Sequence, residues 1–325
     1  MEIRKKIVIT RKLPDPIIQE LDERNYRIHM WPSEDDPMPY DKIVKEAAEA
    51  DALLTNVSDQ IDKQVLSAGA KLKIVSTMAV GYNNIDIQEA SKRGIYVGHT
   101  PDVLTEAVAD LTFALLLAVS RKIVEGMAFI KADRWNSWGP MLLTGQDVWG
   151  STLGIIGMGR IGEAVSRRAA GFGMNILYCN RNRKPQAEQQ LGVAYAELDD
   201  LLTKSDFVVM LAPSTPATHR MLGEREFHLM KPNAVFINTS RGENVDEAAL
   251  FHALKNKRIW GAGLDVFEQE PITSRHRLFG LENVTLLPHI GSATIATRLK
   301  MAGIAVQNIK AVLSGGKPAH CVNEF

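Results

Sequence analysis

Three residues could do chemistry together: Arg241 in INTSRGENVD, Glu270 in LDVFEQEP and His289 in LLPHIGSAT, each just beyond a short apolar run. An arginine can grip a substrate carboxylate with its planar fork of donors. A histidine can give or take the proton of a carbonyl oxygen, and a carboxylate can orient an imidazole and favour its charged form. Together the three would suffice for the two-electron reduction of a 2-keto acid. Taken singly, each has a plainer reading. Most arginine–glutamate pairs are surface ion pairs, and a histidine beside a proline is often only a satisfied loop residue. Position favours the chemical reading, because open parallel sheets place their ligand sites beyond the carboxyl ends of the strands.

Such a reduction needs a hydride donor. TLGIIGMGRIG sets Gly157, Gly159 and Gly162 in GxGxxG spacing, directly after an apolar run and ahead of a helical pattern that begins near Arg160. The first glycine allows a tight turn, the second lets the backbone approach a pyrophosphate, and the third permits close packing of helix on strand. The helix N-terminus then supplies N–H groups for the phosphates. This pattern usually carries an acidic residue about 20 positions on, where it accepts hydrogen bonds from the ribose 2′-hydroxyl. Here the place falls on Asn180, and the run from Asn180 to Lys184 holds no carboxylate. Arg181 and Arg183 offer guanidinium forks suited to a 2′-phosphate. NADP(H) is therefore the expected cofactor, with NAD(H) as second choice. One charge-assisted hydrogen bond contributes roughly 1.5–3 kcal/mol, about a tenfold to hundredfold preference. The plainer reading of the same residues is a solvated basic turn.

These groups need strands to hold them. Apolar runs recur as KIVIT, YRIHMW, DALLTN, KLKIVSTMAV and GIYVGH, and then as STLGIIGMG, NILYCN, DFVVMLAP, AVFINTS, IWGAGLDVF and NVTLLPHIG. Strands that alternate with helices and read as continuous apolar runs predict parallel sheets covered on both faces. A chain of 325 residues is long enough for two domains, which usually run to roughly 100–200 residues each. A helical pattern from Leu104 to about Lys131, with no internal proline, predicts a connector helix. Another from Ala293 to Leu313, stopped by Gly315 and Gly316, predicts a helix that packs back on the first lobe. The expected fold class is α/β, with two doubly wound parallel-sheet domains.

The composition excludes several classes of function. With 38 basic residues against 38 acidic and 45% hydrophobic residues, the chain reads as an ordinary globular protein, and no nucleic-acid or membrane partner is expected. Cys179 and Cys321 have neither metal nor redox spacing, and the eight histidines show no HxH or HExxH pattern, so no metal site is expected. The longest apolar run, FALLLAV from Phe113 to Val119, is far short of the about 20 residues that span a bilayer. MEIRKKIVIT lacks the apolar length of a signal-peptide core. A reduced, cytoplasmic setting is expected.

The spacing and flanks of GMGRIG, INTSRG, GLDVFEQEP and PHIGSAT, with VGYNNID upstream, resemble the D-isomer-specific 2-hydroxyacid dehydrogenase family over nearly the whole chain. Within it, the pattern is most similar to the glyoxylate/hydroxypyruvate reductase branch, which includes bacterial 2-ketogluconate reductases. The resemblance implies a Rossmann cofactor domain over residues 102–291, inserted into a flavodoxin-like substrate domain of residues 1–101 and 292–325. It implies that Arg241 binds the substrate carboxylate, that His289 is the acid/base and that Glu270 is its partner. MAVGYNN matches a loop whose backbone N–H groups, at Val80 and Gly81, also meet the carboxylate. Arg160 and Ile161 sit where the pyrophosphate is held, and Thr105 matches a nicotinamide-side position. Pro213 and Thr218, in APSTPAT, match the turn near the adenosine ribose, and Asp265 matches a carboxylate near the nicotinamide carboxamide. Thr239, Ser240, Gly291 and Ser292 carry over as further cofactor contacts. Trp138, which shares a segment with Trp135 and Trp149, resembles a tryptophan that reaches the neighbouring subunit's active site in the reductase branch. All three tryptophans equally suit core or dimer-interface packing.

The activity implied is NADPH-dependent reduction of small 2-keto acids by a homodimer, glyoxylate to glycolate and hydroxypyruvate to D-glycerate. 2-Ketogluconate reduction is the close rival. Formate and phosphite dehydrogenases share the scaffold, but MAVGYNN and HTPDVLTE lack the formate-type pattern. Redox-sensing corepressors resemble the same family and can keep the three polar residues, yet no peptide-docking extension is recognisable in this sequence.

Overall fold

The computed structural model describes residues 4–22 and 24–325. Met1–Ile3, the start of MEIRKKIVIT, and Glu23 lie outside the described residues. The chain folds into two compact units, one from the described residues of Met1–Leu104 together with Ala293–Phe325, the other Thr105–Ser292.

In the first unit β1 (Lys5–Ile9), β2 (Tyr26–Met30), β3 (Ala52–Thr55), β4 (Ile74–Thr77) and β5 (Tyr96–Gly98) form a parallel sheet in the order β2-β1-β3-β4-β5. The helices α1 (Asp15–Ile18), α2 (Tyr40–Ala47), α3 (Lys63–Ala68) and α4 (Ile87–Lys92) separate them. The two-residue period of a strand sends alternate side chains to opposite faces. Ile7, Ile9, Leu54 and Ile74 enter one core with Ile17 and Leu21, while Val8, Leu53, Val75 and Val97 enter another with Ile43 and Val65. Burial of each such side chain contributes roughly 1.5–3 kcal/mol, which is why these runs are apolar without interruption.

In the second unit a long helix, α5 (Thr105–Ser120), and a shorter one, α6 (Ile123–Lys131), precede the sheet. The strands are β6 (Thr152–Ile156), β7 (Asn175–Cys179), β8 (Ala194–Tyr195), β9 (Phe207–Met210), β10 (Val235–Asn238), β11 (Gly261–Leu264) and β12 (Val284–Leu286). They are parallel, in the order β12-β11-β10-β9-β6-β7-β8. The helices α7 (Arg160–Gly171), α8 (Pro185–Leu191), α9 (Leu198–Lys204), α10 (Glu224–Leu229) and α11 (Glu247–Lys255) cross between them. The strand order reverses between β6 and β9, the switch point where such sheets bind ligands.

Two features depart from the sequence reading. The two-residue strand β8 was not expected, since it is too short to show a period. The connector expected as one helix is two, broken at Lys122, whose φ is +51°. The break has a tertiary cause: the Gln146 N–H donates to the Ser120 carbonyl at 2.9 Å and so takes an acceptor at the end of α5. Helix α5 is buried along most of its length, at Val108, Thr112, Leu115, Leu116 and Val119, whereas α6 has no buried residue.

The last helix, α12 (Ile295–Leu313), belongs to the first unit and packs on β3, β4 and β5 through residues including Ala302, Ala305 and Ile309. Thr294 caps it by accepting from the Thr297 N–H, and Gly315, with φ +91°, lies just past its end.

Candidate active site

At the switch point the three glycines of GMGRIG do different jobs. Gly157 has φ +104°, and a Cβ there would lie 2.4 Å from the Ala212 nitrogen just past β9. A Cβ on Gly162 would lie 2.7 Å from the Gly157 carbonyl oxygen, so the turn and its packing require both glycines. A Cβ on Gly159 would meet nothing within 4 Å. That leaves open space over the N-terminus of α7, where the N–H groups of Arg160, Ile161 and Gly162 precede the first intrahelical acceptor. Arg160 is exposed there, and Ile161 packs its side chain on the core. The residues present fit a dinucleotide pyrophosphate.

The basic turn lies next to this cradle, because the Gly157 N–H donates to the Cys179 carbonyl at 3.0 Å. Asn180 Nδ2 donates to the Asn182 carbonyl at 3.0 Å and closes the turn on itself. Arg181 is exposed. Arg183 instead donates from Nε and Nη2 to both oxygens of Glu188, at 2.7 and 2.8 Å. The sequence treats these two arginines alike, and the structure separates them. After β9, Thr218 Oγ1 donates to the Pro213 carbonyl at 2.6 Å, so those two residues form one local turn.

The polar trio sits past β10, β11 and β12. Beyond β10, Asn238 Oδ1 accepts from the Ser240 N–H and hydroxyl, and its Nδ2 donates to the Arg241 carbonyl at 3.0 Å. Thr239 shares a 2.7 Å hydrogen bond with Thr112 of α5. Arg241 donates to the Ser240 carbonyl at 2.8 Å. Burial pushes its pKa down, and the nearby carboxylates Glu270 and Glu243 counter that pressure. Past β11, Glu270 Oε1 accepts from the Phe267 N–H at 2.9 Å, and Oε2 lies 2.7 Å from His289 Nδ1. Burial opposes the charged form of Glu270, but the His289 hydrogen bond and the His289 and Arg241 charges outweigh it and hold the carboxyl below its ordinary range. An ionised carboxylate only accepts, so Nδ1 of His289 is the donor, and Nε2 remains for proton exchange.

His289 has φ +55°, a left-handed conformation that costs a non-glycine residue about 1–2 kcal/mol. Asp265, 1% exposed, holds that turn: its two oxygens accept from the Ile290 and Gly291 N–H groups at 2.8 and 2.7 Å. Burial pushes the Asp265 carboxyl above its ordinary range in spite of those donors. Gly291 is buried beside Asp265, Ser292 follows it at the end of the unit, and Thr105 opens α5 at the other end. Trp138 stands apart as an 80% exposed side chain. Sequence reasoning singled out Asp265 only through the resemblance and missed Asn238, inside INTSRG, and Thr112, within the helical pattern of α5, whose polar types announce no role.

In the first unit the loop after β4 carries Val80 and Gly81, both half-buried. His99 Nδ1 donates to the Val80 carbonyl at 3.0 Å, and the Thr100 N–H donates to the Ala79 carbonyl at 2.8 Å. Asn84 Nδ2 donates to the Asn56 and Asp59 carbonyls at 3.1 and 2.7 Å. Among the described residues the Val80 and Gly81 N–H groups have no acceptor.

Among the described residues no group of three or more His, Cys, Asp or Glu side chains is placed to hold a metal, and no helix is long and apolar enough to cross a membrane. A parallel sheet with a glycine cradle at its switch point, and a guanidinium and a carboxylate-bound imidazole at neighbouring strand ends, defines a dinucleotide-dependent oxidoreductase. Comparison with known proteins narrows the class. Residues 113–291 match the NAD-binding domain of the D-isomer specific 2-hydroxyacid dehydrogenases. A glyoxylate reductase of Thermococcus litoralis is 49% identical, covering 99% of this chain and 98% of its own. The crystal structure of the TT0316 protein of Thermus thermophilus superposes with TM-score 0.92 at 42% identity, over 98% of this chain and 100% of that one. An NADPH-dependent glyoxylate/hydroxypyruvate reductase of Sinorhizobium meliloti, solved with NADP and malonate, gives 0.86 at 33% identity, over 98% and 97%. The chain belongs to the D-isomer-specific 2-hydroxyacid dehydrogenase family and is an enzyme of that family with a nicotinamide dinucleotide cofactor.

Proposed function

We propose that this dehydrogenase is an NADPH-dependent glyoxylate/hydroxypyruvate reductase, acting as a cytoplasmic homodimer. The observation that carries the chemistry is the 2.7 Å contact of His289 Nδ1 with Glu270 in the unit that also carries Arg241. The choice of small keto acids rests on relatives named glyoxylate reductase at 44–49% identity.

Residues 102–291 form the cofactor domain in this reading, and residues 1–101 with 292–325 the substrate domain. The N-terminus of α7, with Arg160 and Ile161, takes the pyrophosphate, and Pro213 and Thr218 flank the adenosine ribose. Thr105, Thr239, Ser240, Asp265, Gly291 and Ser292 surround the nicotinamide side, and Asn180 with Arg181 selects NADPH. Bound NADPH supplies the hydride. Arg241 holds the substrate carboxylate and polarises the carbonyl, and the substrate domain offers the Val80 and Gly81 N–H groups as carboxylate donors. His289 passes a proton from Nε2 to the carbonyl oxygen as it becomes a hydroxyl, and Glu270 binds Nδ1 and keeps the imidazole aimed. The exposed apolar residues Ile123, Val124, Met127 and Ile130 of α6, with Trp135, support pairing of two copies, and Trp138 serves the partner's substrate pocket.

Steady-state oxidation of NADPH, followed by absorbance with glyoxylate, hydroxypyruvate and 2-ketogluconate in parallel, tests the proposal. Turnover with glyoxylate and hydroxypyruvate is expected to exceed that with 2-ketogluconate. A higher kcat/KM on 2-ketogluconate would reassign the substrate, and no turnover on any of them would return the protein to a dinucleotide-binding role.

A further inference from the structure

The turn that follows β7 is held by a carboxylate from the next helix, α8, with no role in the chemistry above. Glu188, on α8, binds Arg183 through both of its oxygens and also accepts from the Tyr178 hydroxyl at 2.6 Å. Tyr178 is fully buried, and its hydroxyl accepts in turn from the Lys184 N–H at 2.7 Å. The carboxylate therefore cannot swing away without leaving a hydroxyl donor on a buried ring unpaired. The Arg183 hydrogen bonds and the Tyr178 hydroxyl hold the Glu188 carboxyl below its ordinary range, so it carries its charge at neutral pH. The Arg183 guanidinium lies 6.0 Å from the Tyr195 ring centroid, a second contact that keeps it on this side of the turn.

A phosphate and a carboxylate compete for the same edge of a guanidinium, since both accept from paired N–H donors. Here the edge made by Nε and Nη2 is already taken. The pair is neutral as a unit, and the other two basic residues of the turn, Arg181 and Lys184, are exposed.

We propose that Glu188 is a positioning residue for cofactor selection: by occupying Arg183 it makes Arg181 the principal 2′-phosphate ligand and limits the preference for NADPH over NADH. The proposal rests on the NADPH reading above.

Measurement of kcat/KM for NADPH and NADH with glyoxylate, in the intact enzyme and four variants, tests it. Arg181→Ala should lower the NADPH:NADH ratio about tenfold or more, one lost charge-assisted contact. Arg183→Ala should change it less than about twofold, as expected of an arginine already paired on the surface. Glu188→Gln keeps an oxygen for the Tyr178 hydroxyl but removes the charge, and should raise the ratio about fivefold through a lower KM for NADPH. The gain must vanish in Arg183→Ala/Glu188→Gln. A role for Glu188 in folding alone would move both cofactors equally. Calorimetric titration with 2′,5′-ADP and with 5′-AMP gives the same comparison without turnover.

A fall or no change in the ratio on Glu188→Gln, or a gain that survives without Arg183, overturns the proposal. A wild-type ratio below one overturns the NADPH reading instead, and the effect of Glu188→Gln on 2′,5′-ADP binding still decides this one.

Discussion

Both units are parallel sheets, yet their carboxyl edges are built differently. In the first unit the side chains beyond the strands bind one another: Asp59, 3% exposed, accepts from the Thr10 hydroxyl at 2.5 Å, the Asn56 N–H at 2.7 Å and Arg11 at 3.3 Å. Asn84 then ties the loop of Val80 and Gly81 to the Asp59 and Asn56 carbonyls. What this edge presents is main chain. In the second unit the side chains themselves are presented, and the internal bonds of Asn238, Asp265 and Phe267 serve to aim them. Residue type therefore announces the chemistry of one edge and is silent about the other.

Substitutions should separate the two edges by size and by kinetic signature. The largest effect belongs to His289→Ala, which should lower kcat by about 10²–10⁴ and change the KM for glyoxylate far less, as stopped-flow and steady-state rates will show. Next, Arg241→Ala should raise that KM and lower kcat together, reducing kcat/KM by about tenfold to a hundredfold. A change in KM alone would mean that Arg241 binds without polarising.

Glu270→Gln removes the charged acceptor that aims the His289 imidazole through Nδ1, so it should lower kcat on glyoxylate by about tenfold with little change in KM; an unchanged kcat would remove Glu270 from the proton path. The same carboxyl is depressed in the fold, so the stability it contributes is present above the ordinary glutamate value, about 4.3, and is lost as pH falls below it. The gap in Tm between wild type and variant should close in that direction.

The smallest kinetic effect is expected in the first unit. Asp59→Asn should cost about 1–3 kcal/mol in urea unfolding, raise the KM for glyoxylate and leave the KM for NADPH unchanged. Equal increases in both would erase the distinction drawn between the two edges.

Legibility in the sequence follows the same divide. Strands buried on both faces, such as Ile7–Ile9 and Phe207–Met210, read directly as apolar runs, and the glycine spacing at 157, 159 and 162 carries its own geometry. The break at Lys122 is invisible, since no proline or glycine marks it and a carbonyl claimed by Gln146 causes it. The inequality of Arg181 and Arg183 is equally hidden: it depends on Glu188 and on a tyrosine that looks like ordinary core. His289, Glu270 and Arg241 are legible as chemical types at strand ends, while the groups that hold them are common turn-formers. Residue type reveals a reactive group more readily than its support.

The left-handed turn at His289 carries a consequence for how the protein can change over generations. Glycine would be the most comfortable residue there, and Asp265 bears the cost of keeping a side chain in its place. Glycine in its place would relieve the backbone strain but strip Glu270 of its imidazole partner, so two opposed costs hold the histidine where it is.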